Sequence, residues 1–212
     1  MKIIYKGGEA EITEKKSRFI ASVRSVADEE EALDFIASMK KRYWDARHNC
    51  SAYVIGERQQ LQRCSDDGEP QGTAGRPMLE VLLGADVHNA VVVVTRYFGG
   101  VLLGTGGLVR AYSKSVQEGL KNCTILDKKE GVSLTIGTDY TGIGKIQYIL
   151  GQRGCPILDS EYTDVVRIRA LIPKEEITRV KEAVIEATAG RARFPSEEPV
   201  SYAMLEGEAI LF

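Results

Sequence analysis

Asn89-Ala90-Val91-Val92-Val93-Val94-Thr95-Arg96-Tyr97-Phe98-Gly99-Gly100-Val101-Leu102-Leu103-Gly104-Thr105-Gly106-Gly107-Leu108-Val109-Arg110-Ala111-Tyr112 decides how this chain is read. An unbroken β-branched run is the pattern of a strand buried on both faces. It delivers Arg96, Tyr97 and Phe98 to a glycine-rich turn, and a helix begins just beyond. One charge, two aromatic rings and several bare amides therefore gather where a strand hands over to a helix. A helix start beside a glycine-rich loop is a ready anion site.

Upstream, Glu9–Thr13 and Ser17–Val26 read as a hairpin, with Phe19, Ala21 and Val23 alternating inward. Asp28 with Glu31 three residues on has capping-box spacing and opens a helix to about Tyr43, whose apolar face is Ala32, Phe35, Ile36 and Met39. Asn49–Ile55 and Leu61–Ser65 read as paired strands. Ser65–Pro77 is a loop rich in glycine, proline and acid, and Pro77 suits the first turn of a helix ending at Gly84. His88–Arg96 reads as the buried strand and Gly104–Asn122 as a helix. This order predicts an α+β two-layer sandwich, with helices packed on one sheet.

Past Asp127 the pattern changes. Val132–Ile136, a helix over Thr141–Arg153, strands Ile157–Tyr162 and Val165–Ile172, a helix over Pro173–Ala187 and a final strand within Tyr202–Phe212 give the split βαβ, or ferredoxin-like, order. The expected domains are 1–128 and 129–212.

The 212 residues carry a net charge of −2, so nucleic-acid contact would need a local patch instead of a global field. Cys50, Cys64, Cys123 and Cys155 are scattered, with no CxxC pair for zinc, and read as free thiols of a reducing compartment. No segment is apolar enough to span a bilayer, and the N-terminus lacks the core of a secretory signal; a cytoplasmic protein is expected.

For chemistry, Arg76, Arg96, Tyr97 and Arg110, with the amides of Gly104, Thr105, Gly106 and Gly107, would form a surface that reads anions or nucleic acid. Arginine suits phosphate and aromatic rings stack on bases. The competing reading has the aromatics in the core and the arginines paired with Asp66, Asp67 and Glu69. Those three acids, with His48, form a second polar constellation. It would hold magnesium and an acid or base in an enzyme acting on a phosphorylated or nucleotide-like molecule, or else tie its own turn by hydrogen bonds. Leu108 and Val109 break the Walker and dinucleotide patterns, so neither ATP nor NAD is inferred. No catalytic set is read, and no cofactor is expected outside the magnesium alternative.

Asp67-Gly68-Glu69-Pro70, Gly72-Thr73-Ala74-Gly75-Arg76-Pro77-Met78, Thr95–Gly100, Leu103–Tyr112 and Lys16-Ser17-Arg18-Phe19 together resemble the IMPACT/YigZ family, and the match extends over nearly the whole chain. The resemblance implies a first domain like the second domain of ribosomal protein S5 and a second like a ferredoxin-type domain of elongation factor G. Eukaryotic members regulate translation by binding the ribosome-associated activator of the amino-acid-starvation kinase. The resemblance implies no catalytic residues. It points to a translation-associated regulator that binds RNA, the ribosome or a translation-machinery protein; no membrane partner is expected, and no DNA specificity is inferred. A protein–protein adaptor using an exposed sheet is the further alternative.

Overall fold

Val91, Val92, Val93 and Val94 form the middle of a five-stranded antiparallel sheet, and their side chains are buried on both of its faces. The computed structural model describes residues 1–212. The chain divides into two compact units, Met1–Leu126 and Asp127–Phe212.

In chain order the first unit contains β1 (Lys2–Lys6), β2 (Gly8–Glu14), β3 (Ser17–Ser25), α1 (Glu29–Arg42), β4 (His48–Ile55), β5 (Leu61–Ser65), α2 (Gly75–Gly84), β6 (Val87–His88), β7 (Ala90–Tyr97), α3 (Thr105–Lys121) and the closing strand β8 (Thr124–Asp127). The main sheet has the order β2-β3-β7-β4-β5; β6-β1-β8 form a small second sheet. Asn89 interrupts the strand expected from His88 onward. Its φ of 52° is left-handed, which asparagine tolerates, so the chain leaves β6 and enters β7 in a new direction.

Alternation along β7 sorts the core. Val92 and Val94 pack with Met78 and Leu82 of α2 and with Leu108, Tyr112 and Val116 of α3. Val91 and Val93 pack on the other side with Ala32, Phe35 and Met39 of α1. The first unit therefore has three layers, correcting the expected two: helices cover both faces because both faces of β7 are apolar. Burial of each such valine contributes about 1.5–3 kcal/mol. α1 is capped as expected, with Asp28 Oδ1 accepting the Glu31 N–H at 2.9 Å.

The second unit runs β9 (Lys129–Thr138), α4 (Ile143–Gln152), β10 (Ile157–Tyr162), β11 (Val166–Pro173), a 3-10 turn at Lys174–Glu176, α5 (Ile177–Ala187), β12 (Arg193–Leu205) and β13 (Glu208–Leu211). Its antiparallel sheet has the order β10-β11-β9-β12-β13. Ile146 and Leu150 of α4 and Val180 and Val184 of α5 pack on Leu134, Ile136 and Ile168. The one expected final strand is in fact two. β12 begins nine residues before Tyr202, at Arg193, and carries Pro195 and Pro199. Because β13 pairs only with Tyr202–Leu205, the earlier part of β12 is a sheet edge, where proline is tolerated.

Candidate functional site

The end of β7 does not present its arginine to solvent. Arg96 is only 6 % exposed, and its Nη1 donates to Glu69 Oε1 at 2.7 Å. Tyr112 of α3 donates its hydroxyl to the same oxygen at 2.7 Å. The guanidinium lies between the rings of Phe19 and Phe98, 5.4 and 5.6 Å from their centroids. Its Nε has no hydrogen-bond partner. Burial, followed by the neighbouring Cys50, pushes the Tyr112 hydroxyl far above the ordinary tyrosine range. The Cys50 thiol, 3.3 Å from that hydroxyl and 3.0 Å from the Asp66 carbonyl oxygen, is pushed up to about 12, chiefly by burial. These groups clamp the Ser65–Pro77 loop to the sheet.

The acidic loop is built the same way. Asp66 accepts the N–H groups of Gly72, Ala74 and Gly75 at 2.8–3.0 Å and so caps α2 from outside the helix. Burial raises its pKa, but the three amide bonds outweigh burial and hold it below the ordinary value. Asp67 takes the Asn49 N–H at 2.7 Å and Lys40 Nζ at 2.6 Å. His48 Nδ1 lies 3.0 Å from the Asp67 carbonyl oxygen. Asp66, Asp67 and Glu69 thus each face different donors, and no group of three metal-ligating side chains forms. These carboxylates are engaged by backbone amides, Lys40, Arg96 and Tyr112.

Of the residues expected to share one anion-reading surface, the structure brings together some and separates others. Gly107 and Arg110 line a cleft of about 320 Å³ with Lys15, Leu103 and Lys114. Arg110 Nη1 lies over Gly106, 3.5 Å from where a Cβ would stand. Gly104, Thr105 and Gly106 are exposed, and α3 has no side-chain cap. Arg96 is absent from this rim, since its charge is neutralised inside by Glu69. Tyr97 is half-buried and donates to Asp45 at 2.7 Å, which, with burial, raises its pKa. Arg76 is exposed on α2 and pairs with Glu80 at 3.0 Å. Neither Arg76 nor Tyr97 lines the Arg110 cleft.

Sequence reasoning singled out Phe98 but missed the rest of the apolar rim. Leu102 is 82 % exposed, and Phe98 and Val101 are exposed in the same loop. Trp44, 81 % exposed, stands beside Asp45, the partner of Tyr97. The turn between β2 and β3, with Lys15 and Lys16 both at positive φ, abuts the loop at Gly99. A Cβ on Gly99 would lie 2.0 Å from the Lys16 carbonyl carbon, so only glycine fits there. The Lys16–Phe19 string carried this signal, but nothing in it shows which loop it meets.

Residues 15–120 match the Impact N-terminal domain family, and residues 136–191 match the Domain of unknown function (DUF1949) family. The chain is 43 % identical over 189 residues to the IMPACT family member YvyE of Bacillus subtilis (strain 168), covering 89 % of this chain and 87 % of YvyE. It is 38 % identical over 178 residues to the IMPACT family member YigZ of Escherichia coli (strain K12), covering 83 % and 87 %. A solved structure described as that of a hypothetical protein is similar at a TM-score of 0.59 with 35 % identity, over 91 % of this chain and 95 % of that one.

Proposed function

Because this chain belongs to the IMPACT family, we propose that it is a non-enzymatic, translation-associated regulator that grips a protein of the translation machinery with the rim around Phe98–Gly107. The setting follows from the family resemblance, whose eukaryotic branch regulates translation through a ribosome-associated protein. The observation that carries the mode of action is the exposure of Leu102, with Phe98 and Val101, on a loop held in place by Gly99 and Ser17. Exposed apolar side chains on an ordered loop are typical of protein contacts. Lys15, Lys16 and Arg110 around them form no ion pair, which favours a partner with an acidic rim. The reading invokes no cofactor.

On this reading the first unit is of the ribosomal protein S5 domain 2 type and the second is ferredoxin-like. The order β10-β11-β9-β12, with α4 and α5 on one face, supports the latter. The proposed location is the cytoplasm; no helix is long and apolar enough to cross a membrane.

Pulldown with the tagged full chain tests the proposal. Translation proteins should be recovered, should remain after nuclease treatment and should be lost with Leu102→Asp, while circular dichroism is unchanged. Recovery indifferent to Leu102→Asp counts against it. RNA is the second reading, favoured by the position of Arg110 over the open start of α3, where a cation and free amides face one another. Filter binding of single-stranded and structured RNA across a salt series decides it: a slope reduced by Arg110→Ala supports RNA contact at this rim.

A further inference from the structure

We propose that the open face of the second unit's sheet binds a small phosphate-bearing molecule between Arg167 and Arg193, over Gly137. Strand register builds the site. Gly137 of β9 lies directly opposite Arg167 of β11 on one side and Arg193 of β12 on the other. Directly opposed residues of antiparallel strands project to the same face. Along β11, buried Val166 and Ile168 alternate with exposed Arg167 and Arg169, so this face is the one turned away from α4 and α5. The middle of the row has no side chain: a Cβ on Gly137 would meet nothing closer than the Arg193 carbonyl oxygen at 3.9 Å. A notch of about 330 Å³ results, completed by Asp139, Val165, Arg191 and Pro195.

The charge balance of the notch favours an anion. Three guanidiniums line it against one carboxylate, and that carboxylate, Asp139, is already engaged by Arg191 at 3.0 Å. Arg193 Nη1 is held by two main-chain oxygens, Gly190 at 2.8 Å and Ala192 at 3.0 Å. Neutral carbonyls fix its orientation and leave its charge uncompensated. Arg167 meets only an exposed, loose carboxylate, Glu161 at 3.6 Å. Two planar forks approaching from the strands on either side of β9 suit a dianion such as phosphate. Val165 and Pro195 supply an apolar wall for an attached organic group. The volume is at the lower end of ligand pockets (~300–1,000 Å³), which favours a small molecule.

The test is isothermal titration of the full chain at low ionic strength with inorganic phosphate, pyrophosphate and adenosine monophosphate as separate probes. At least one should bind at a single saturable site. Arg193→Ala should weaken it by roughly tenfold or more, the effect of losing charge-assisted hydrogen bonds. Gly137→Val, which fills the notch and keeps every arginine, should weaken it comparably. Should that variant not fold, Arg167→Ala, on an exposed position, replaces it with the same expectation. The proposal is overturned by silence with all three probes or by binding that ignores Arg193→Ala.

Discussion

Arg96 and Glu69, 27 residues apart in sequence, form a buried ion pair at 2.7 Å that fastens the acidic loop to the end of the central strand. Both side chains are almost wholly removed from solvent, so removing either one leaves the other without its ion-pair partner. Arg96→Ala should therefore lower stability in urea unfolding by about 3–5 kcal/mol, the cost of leaving one buried charge alone. The double variant Arg96→Met/Glu69→Leu should lose much less than the sum of the two single changes. Equal additivity would show that the pair is not coupled.

Asp66 makes the acid limb of stability predictable. Its carboxyl is held below the ordinary value in the folded chain, so the folded state binds its proton more weakly than the unfolded state does. Its contribution is fully present above the unfolded value of about 3.9 and is lost as pH falls through the lower folded value. Asp66→Asn should flatten that limb of a stability–pH curve and weaken the α2 cap at the pH values where Asp66 is ionised.

Thiol labelling separates the cysteines. Cys50 is buried with its pKa pushed up to about 12, whereas Cys64 is exposed. Timed alkylation at neutral pH, followed by peptide mapping, should modify Cys64 well before Cys50. Early labelling of Cys50 would mean that the Glu69–Tyr112 cluster opens readily.

Gly99→Ala should destabilise the first unit by about 1–3 kcal/mol, because the added carbon collides with backbone, which cannot turn aside. Gly100→Ala meets no neighbour, but its φ of 83° is left-handed; it should cost about 1 kcal/mol through strain alone. Thermal unfolding of the pair distinguishes collision from strain.

The valine run, the Asp28 cap and the helix periodicities could be read from the sequence because they are local. What could not be read depends on distant partners. Arg96 sits beside a glycine loop in sequence and so resembles a surface residue; the competing reading pairs the arginines with Asp66, Asp67 and Glu69, and the fold shows that Glu69 is the one that reaches Arg96. The layer count failed for a related reason: a strand apolar on both faces needs cover twice, and α1 supplied the second layer. Arg193 was missed because Pro195 and Pro199 argue against a strand wherever both edges are paired, and here one edge is free.

That same pair of prolines carries a consequence for the behaviour of the chain in a crowded solution. An unfinished rail of main-chain donors invites a strand from another molecule, and stacking of that kind seeds fibres. Imino nitrogens at 195 and 199 blunt the rail, and the exposed Glu198 between them adds like charge against an incoming copy. The stretch that sequence patterning overlooks is thus the one that lets the second unit end its sheet without propagating it.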